Sequence, residues 1–309
     1  MTPRKSILIG APVDSGKARR GCLMGPDAYR VAGITEAIHD LGHAVQDMGN
    51  LAPAAATAPA SLPTHVVTPD ETIGWTLSLM QAAEAALAEG LPIFLGGDHS
   101  LSLGSVAGAA RHAAAQDRPL FVLWLDAHSD FHTPQSTGSG NLHGTPLAYV
   151  TGCAGFDGFP AVTHPVPHEN ICLLGLRSVD QAERETMQGT RLRCVDMRRI
   201  DETGIARPLN EFLADVARAG GMLHVSLDVD FLDPGFAPAV GTTVPGGATI
   251  REAHLVMEMI SDSGLMTSLD LVELNPFLDD RGRTAQVMVD LAASALGRRV
   301  FDRPTRAFS

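Results

Sequence analysis

Short apolar runs alternate with longer amphipathic ones along the whole chain. The runs SILIGAP (6–12), LPIFLGG (91–97), LFVLWLD (120–126), ICLLGLR (171–177), LRCVDM (192–197), MLHVSLDVD (222–230) and MTSLDLVEL (266–274) predict strands. A helix is expected over GPDAYRVAGITEAIHDLG (25–42), with Pro26 near its start and Gly42 past its end. A second runs to about Gly90 from the capping-box sequence Thr68-Pro69-Asp70-Glu71. Further helices are expected from about Ser100 through the alanines at 109–115, and around 180–188, 207–219, 249–262 and 284–297, with Thr249 and Glu252 at box positions. The Ala/Pro/Thr stretch 51–67 predicts an irregular surface connection and a candidate lid.

Strands that are apolar on both faces and separated by helices imply a mainly parallel sheet covered on both sides. Periodicity does not distinguish an open three-layer sheet from a closed barrel. No repeat, charge block or composition break divides the chain, so a single domain over 1–309 is expected.

The polar residues break this pattern at one kind of place. Four strands are apolar until their C-terminal ends and there produce acid or histidine. FLGGDHS gives Asp98 and His99, and WLDAHSDFH gives Asp126, His128, Asp130 and His132 in alternation. VSLDVDFLDP adds Asp228, Asp230 and Asp233, and SLDLVELNP adds Asp270 and Glu273. Ligand sites of α/β folds lie at the C-terminal ends of parallel strands, so four strands deliver acids to one rim. Asp98 and Asp270, beside glycine or inside a strand, are expected to orient neighbours. Carboxylates gathered at one rim repel one another and would protonate unless cations compensate.

Composition narrows the ligand. With 45% hydrophobic and 19% charged residues the chain is ordinary globular protein, while 5% aromatics argues against base-stacking platforms. A net charge of −12 argues against a nucleic-acid partner and permits a small cationic substrate. Cys22, Cys153, Cys172 and Cys194 form no CxxC pair, hence no thiolate zinc signature and no evident disulfide framework. The opening MTPRKSILIGAP is too short in apolar residues for a signal-peptide core, and no 18-residue apolar span occurs. A cytoplasmic protein without membrane contact is expected. Carboxylates and imidazoles without thiolate suit Mn²⁺, Mg²⁺, Fe²⁺ or Co²⁺. Four aspartates and two histidines exceed the needs of one ion, and two ions about 3.5–4 Å apart sharing carboxylates would use them all.

In this order, GGDHS (96–100), DAHSD (126–130), SGNLHG (139–144), SLDVDFLDP (226–234) and VELNP (272–276) resemble the ureohydrolase family, the binuclear manganese enzymes that cleave guanidinium compounds to urea. The likeness runs from GAP (10–12) and GPDAYR (25–30) to the last helix, and within the family the chain looks most like the arginases. The resemblance implies a three-layer α/β/α domain around an eight-stranded, mainly parallel sheet, and a homotrimer or homohexamer. It implies one Mn²⁺ held by His99, Asp126, Asp130 and Asp228, and a second by His128, Asp126, Asp228 and Asp230. Asp126 and Asp228 would bridge, and Asp130 is counted among the catalytic residues as well.

For the chemistry, Glu273 is expected to accept a bidentate hydrogen bond from the planar guanidinium and aim its carbon. His143 is the expected proton donor to the departing amine, since imidazole titrates near working pH. Thr242 would assist the substrate near the metals. By resemblance to arginases, Ser139 and Asn141 would receive an α-carboxylate and Asp180 an α-ammonium, with Glu183 one turn further along. That set favours L-arginine, with an agmatinase- or guanidinobutyrase-type activity, or a non-catalytic metal-binding relative, as the alternatives. His132 stands where many arginases have an asparagine that reads the carboxylate. It could donate a similar hydrogen bond or merely cap its loop.

Overall fold

Eight strands are hydrogen-bonded into one sheet in the computed structural model, which describes residues 4–299; residues 1–3 and 300–309 of the expected single domain lie outside them. The strands are β1 (Lys5–Ala11), β2 (Ala44–Asn50), β3 (Leu91–Gly96), β4 (Leu120–Leu125), β5 (Ile171–Leu176), β6 (Arg193–Asp196), β7 (Met222–Asp228) and β8 (Met266–Val272). Their order is β2-β1-β3-β8-β7-β4-β5-β6 and every pairing is parallel. The sheet is therefore open, with β2 and β6 at its edges, and not a barrel.

β3, β4, β5 and β7 are buried at every position, as strands covered on both faces must be. One covering layer holds α1 (Gly25–Val31), α2 (Ile34–His39) and, later in the chain, α7 (Met197–Thr203), α8 (Ala206–Arg218), α9 (Ile250–Ser263) and α10 (Arg283–Ala295). The opposite layer is built on α3 (Pro69–Leu87), α4 (Ser102–Ala115) and α5 (Pro146–Val150), while α6 (Gln181–Met187) follows β5. α8 shows the reason such helices form: Leu209, Phe212, Leu213 and Val216 make one apolar stripe turned to the core.

Two expectations are corrected and one further element was not expected. The single helix over 25–42 is two, because Gly33 turns into the left-handed region at φ 87° and restarts the chain as α2. The expected Thr68 capping box does not form: Thr68 is itself left-handed, and its hydroxyl donates to the Ser15 carbonyl at 2.6 Å. Strand β2, AVQDMGN, was not among the predicted strands, because an edge strand mostly exposed carries no apolar run. By contrast, the Thr249–Glu252 box at the start of α9 is present in both directions. The stretch 51–67 is irregular, and among the described residues no helix is long and apolar enough to cross a membrane.

Candidate metal centre and substrate cavity

The four strands that carry the acids are neighbours in space. β3, β8, β7 and β4 form the middle of the sheet, where β7 and β8 are inserted between two strands consecutive in sequence. At this switch point the chain diverges to either side and leaves a crevice beyond the strand ends. Every residue singled out as a metal, catalytic or substrate candidate lines one cavity there, of about 190 Å³.

Its floor has two groups of ligand-type side chains. His99, in the turn after β3, points Nδ1 at Asp126 Oδ2 (3.1 Å), Asp130 Oδ2 (3.0 Å) and Asp228 Oδ2 (3.0 Å). His128 Nδ1 lies 3.0 Å from Asp230 Oδ2 and 3.5 Å from Asp126 Oδ1. Asp126 thus gives one oxygen to each group. Asp228 gives Oδ2 to the first, while its Oδ1 accepts the Asp230 amide at 2.7 Å.

Outer contacts fix the ligands. His99 stacks flat on buried Trp124 at 4.2 Å, and its Nε2 lies 2.8 Å from Ser226 Oγ, which turns Nδ1 toward the acids. Asp230 Oδ1 accepts the Ala127 amide at 3.0 Å. Asp130 sits at φ 47°, a conformation uncommon outside glycine that holds its carboxylate in the group.

These groups fit metal ions. Among the described residues His99 Nδ1, Asp126 Oδ2 and Asp130 Oδ2 are buried and make no well-formed hydrogen bond, yet all lie within 4.8 Å of one another and face one point. Buried polar atoms are rarely left without a partner, and three converging orphans of carboxylate and imidazole chemistry match a cation's coordination shell. The protons show the same stress. Burial and the Asp126 charge push Asp130 up to about 6. Burial, Asp230 and Asp126 raise Asp228 well above the carboxylate range. Burial opposes charge on His128, but hydrogen bonds to Asp126 and Asp230 prevail and push it up to about 12. Asp126 is the exception: burial raises it, and the two imidazoles outweigh burial and hold it low.

Glu273 follows β8 at φ 66°, again left-handed. Its carboxylate is nearly full of protein donors. Oε1 accepts the His99 amide and His143 Nδ1, both at 2.9 Å, and Oε2 pairs with the Lys17 ammonium beside the Cys22 thiol. Burial opposes its ionisation, but Lys17 and His143 hold it well below the usual range. A carboxylate has about four acceptor positions, so a guanidinium taken up by Glu273 would have to share them with these protein donors.

The outer wall is made by loops. Asp180 caps α6 by accepting the Glu183 amide at 2.9 Å, and its Oδ2 meets His132 Nε2 at 3.0 Å. Glu183 returns the box to the Asp180 amide and also accepts the Phe131 amide at 3.2 Å, tying α6 to the loop after β4. Ser139 Oγ accepts the Asn141 amide at 3.2 Å, and Asn141 Oδ1 accepts the Ala18 amide at 3.1 Å. The segment 51–67 borders this loop, His65 donating to the Thr137 carbonyl and Val67 to that of Gly140. Thr242 is exposed on a loop held by Arg177, whose guanidinium donates to the Val244, Leu232 and Asp230 carbonyls.

Several of these contributors were not legible beforehand. Lys17 and Cys22 lie in the glycine-rich loop after β1, and the only signal was that β1 ends on the same rim. Asp98 and Asp270 do orient neighbours: Asp98 accepts the Gly16 and Ser100 amides, and Asp270 the Ser102 and Ser105 hydroxyls.

A family model described as "Arginase family" matches residues 4–297. A Brucella melitensis protein named "Arginase" is 60% identical over 303 residues, 97% of this chain and 99% of that one. The native structure of arginase from Bacillus caldovelox superposes with a TM-score of 0.87 at 34% identity, covering 96% of this chain and 99% of that one. Entamoeba histolytica arginase, solved in complex with L-ornithine, gives 0.84 at 25% identity, with 96% and 100% covered.

Proposed function

Since this chain belongs to the arginase family, we propose that it hydrolyses the guanidinium group of L-arginine to give L-ornithine and urea. The observation that carries the reading is the pairing, within one cavity, of unpartnered buried ligand atoms on the floor with amino-acid-sized polar groups on the wall. His99, Asp126, Asp130 and Asp228 would hold one Mn²⁺, and His128, Asp230, Asp126 and Asp228 the second. The donor set of oxygens and imidazoles without thiolate supports manganese over a structural zinc. Bound there, two divalent ions supply charge stabilisation and a water able to ionise near neutral pH.

The chain's own residues do the rest. Glu273 orients the guanidinium carbon, its carboxylate held in place by Lys17, the His99 amide and His143. His143 donates from Nδ1 to Glu273 at 2.9 Å, which leaves Nε2 to exchange a proton with the leaving amine. Burial opposes charge on this imidazole and the Glu273 carboxylate favours it; the carboxylate prevails and raises its pKa, so the proton is available to give. Ser139 and Asn141, with His132 as a further donor, receive the α-carboxylate, Asp180 meets the α-ammonium, and Thr242 assists the substrate near the metals. The enzyme acts as a single catalytic domain in the cytoplasm, assembled as a homotrimer or homohexamer.

The test is urea release from L-arginine, agmatine and 4-guanidinobutyrate after Mn²⁺ loading, with subunit mass measured alongside. The reading expects arginine to be turned over best. Preference for agmatine or guanidinobutyrate would replace the substrate, and urea from none of the three would end the enzymatic reading.

A further inference from the structure

Gly16, Lys17 and Ala18, in the loop between β1 and α1, touch in succession the parts of the cavity that the proposed reaction needs. Gly16 accepts the His143 amide at 2.9 Å and donates its own amide to Asp98 at 2.8 Å. A Cβ at residue 16 would stand 2.5 Å from Asp98 Oδ1 and Ser100 Oγ, so the close passage requires glycine. Lys17 pairs with Glu273, and the Ala18 amide binds Asn141. The strap is anchored away from the floor: Ser15 accepts hydrogen bonds from Thr68 and Thr72 of the α3 side, and the Asp14 carboxylate accepts the Gly21 and Cys22 amides.

Lys17 is 2% exposed, and among the described residues its ammonium has only the Glu273 carboxylate and the Cys22 sulfur, 2.9 Å away, as hydrogen-bond partners. Buried ion pairs are poor stabilisers compared with apolar groups of the same volume, so stability alone is a weak reason for one here. Its location beside the group that orients the substrate is a stronger one.

We propose that Lys17 is a positioning residue of the reaction, pinning Glu273 Oε2 so that Oε1 stays on His143 and the carboxylate keeps its aim on the guanidinium. This rests on the ureohydrolase reading of the cavity and extends it. Because the ammonium already neutralises Glu273, ground-state attraction for the guanidinium is restrained and the carboxylate serves orientation. Removing the ammonium frees a buried negative charge for the substrate to bind more tightly, in a geometry worse for reaction. The signature is a fall in kcat without the rise in KM that a damaged site would show.

The experiment compares wild type, Lys17→Met, Glu273→Gln and the double variant, each loaded with Mn²⁺, for manganese content and for kcat and KM on L-arginine. Lys17→Met is expected to keep two ions per chain, lose roughly a hundredfold in kcat, the scale of an ångström-sized misplacement, and show an unchanged or lower KM. In the Glu273→Gln background the same substitution should change kcat by less than about threefold, since Lys17 acts through that carboxylate. If Lys17→Met does not fold, the double variant, whose neutral pair is tolerated more readily, is compared with Glu273→Gln alone: equality supports the role and a further hundredfold loss overturns it. A kcat within about twofold of wild type, or a fall accompanied by lost manganese or raised KM, also overturns it. An active wild type with an indifferent Lys17 leaves the arginase reading intact, whereas a wild type that releases no urea overturns both.

Discussion

The floor and the outer wall of the cavity are built on opposite principles. On the floor the chemistry sits at or just past the ends of four adjacent strands, is almost wholly buried, and leaves His99 Nδ1, Asp126 Oδ2 and Asp130 Oδ2 without a well-formed hydrogen bond among the described residues. On the wall the side chains stand on loops and a helix cap, and several already have a protein partner: Asp180 with His132, Ser139 with Asn141, Asn141 with Ala18. The floor is a set of charges held in place by the sheet and able to take a cation. The wall's side chains are already engaged in part, so a substrate joins or replaces existing contacts. Loss of one group should therefore be severe at the floor and graded at the wall.

The sharpest attempt to break this contrast is Asp126→Ala, which takes an oxygen from both ligand groups at once. Losing an outer contact to a metal ligand costs about 10–100-fold, so loss of this shared ligand should exceed that in kcat/KM and lower manganese below two per chain. Full activity at normal manganese content, measured by urea assay and atomic absorption, would mean that the floor is not a dinuclear site.

The floor should also respond to pH where the wall does not. In the metal-free chain the acids outweigh burial and hold His99 and His128 protonated well above neutrality, and each imidazole must lose that proton to bind an ion. Metal affinity should therefore rise with pH, by about tenfold per unit for each ion displacing one proton, and fall correspondingly as pH drops. Calorimetry of Mn²⁺ binding in buffers of different ionisation heat checks this, and no net proton release would contradict the assignment of the two imidazoles.

At the wall, Asp180→Ser keeps a side chain able to cap α6 while removing the carboxylate, which Asp180→Ala would not. Its side chain is 57% exposed, so the charge contact is screened and the expected loss is about three- to tenfold in kcat/KM on arginine, with agmatine nearly unaffected. An equal loss on both substrates would assign Asp180 to holding α6 alone. Smallest of all, Ser139→Ala removes an acceptor of the Asn141 amide and should cost no more than a few-fold, seen in KM, because the loop keeps its other bonds. A loss as large as that of Asp126→Ala would erase the distinction between the two regions.

The same contrast explains what could be read in the sequence. A strand buried on both faces leaves a long apolar signature, so an acid or histidine at its end stands out, and Asp126, Asp228 and Glu273 were all visible in this way. The wall has no such background. Ser139, Asn141 and Asp180 were named only through resemblance, and their mutual bonds depend on loop courses that no periodicity encodes. Lys17 was missed because a lysine in a polar glycine-rich loop looks solvated, and only the folded chain buries it under Glu273. β2 was missed for the converse reason, an exposed edge reading as loop. Thr68 shows that a capping sequence is a local offer: a tertiary acceptor, the Ser15 carbonyl, took its hydroxyl instead.

The insertion of β7 and β8 between β3 and β4 has a consequence for synthesis of the chain. When His99 and the Asp126–Asp130 stretch leave the ribosome, the strands that separate and support them are still about a hundred residues from being made. β3 and β4 cannot pair directly in the finished sheet, and their facing edges stay open until β7 and β8 slot between them. At about 5–20 residues per second that interval lasts several seconds or more, long enough for open edges to matter. During it a nascent chain would present Asp126, His128 and Asp130 without Asp228, Asp230 or Glu273, a partial ligand set with half its sheet missing. Metal capture therefore belongs to the last stage of maturation, after long-range strand pairing that is intrinsically slow.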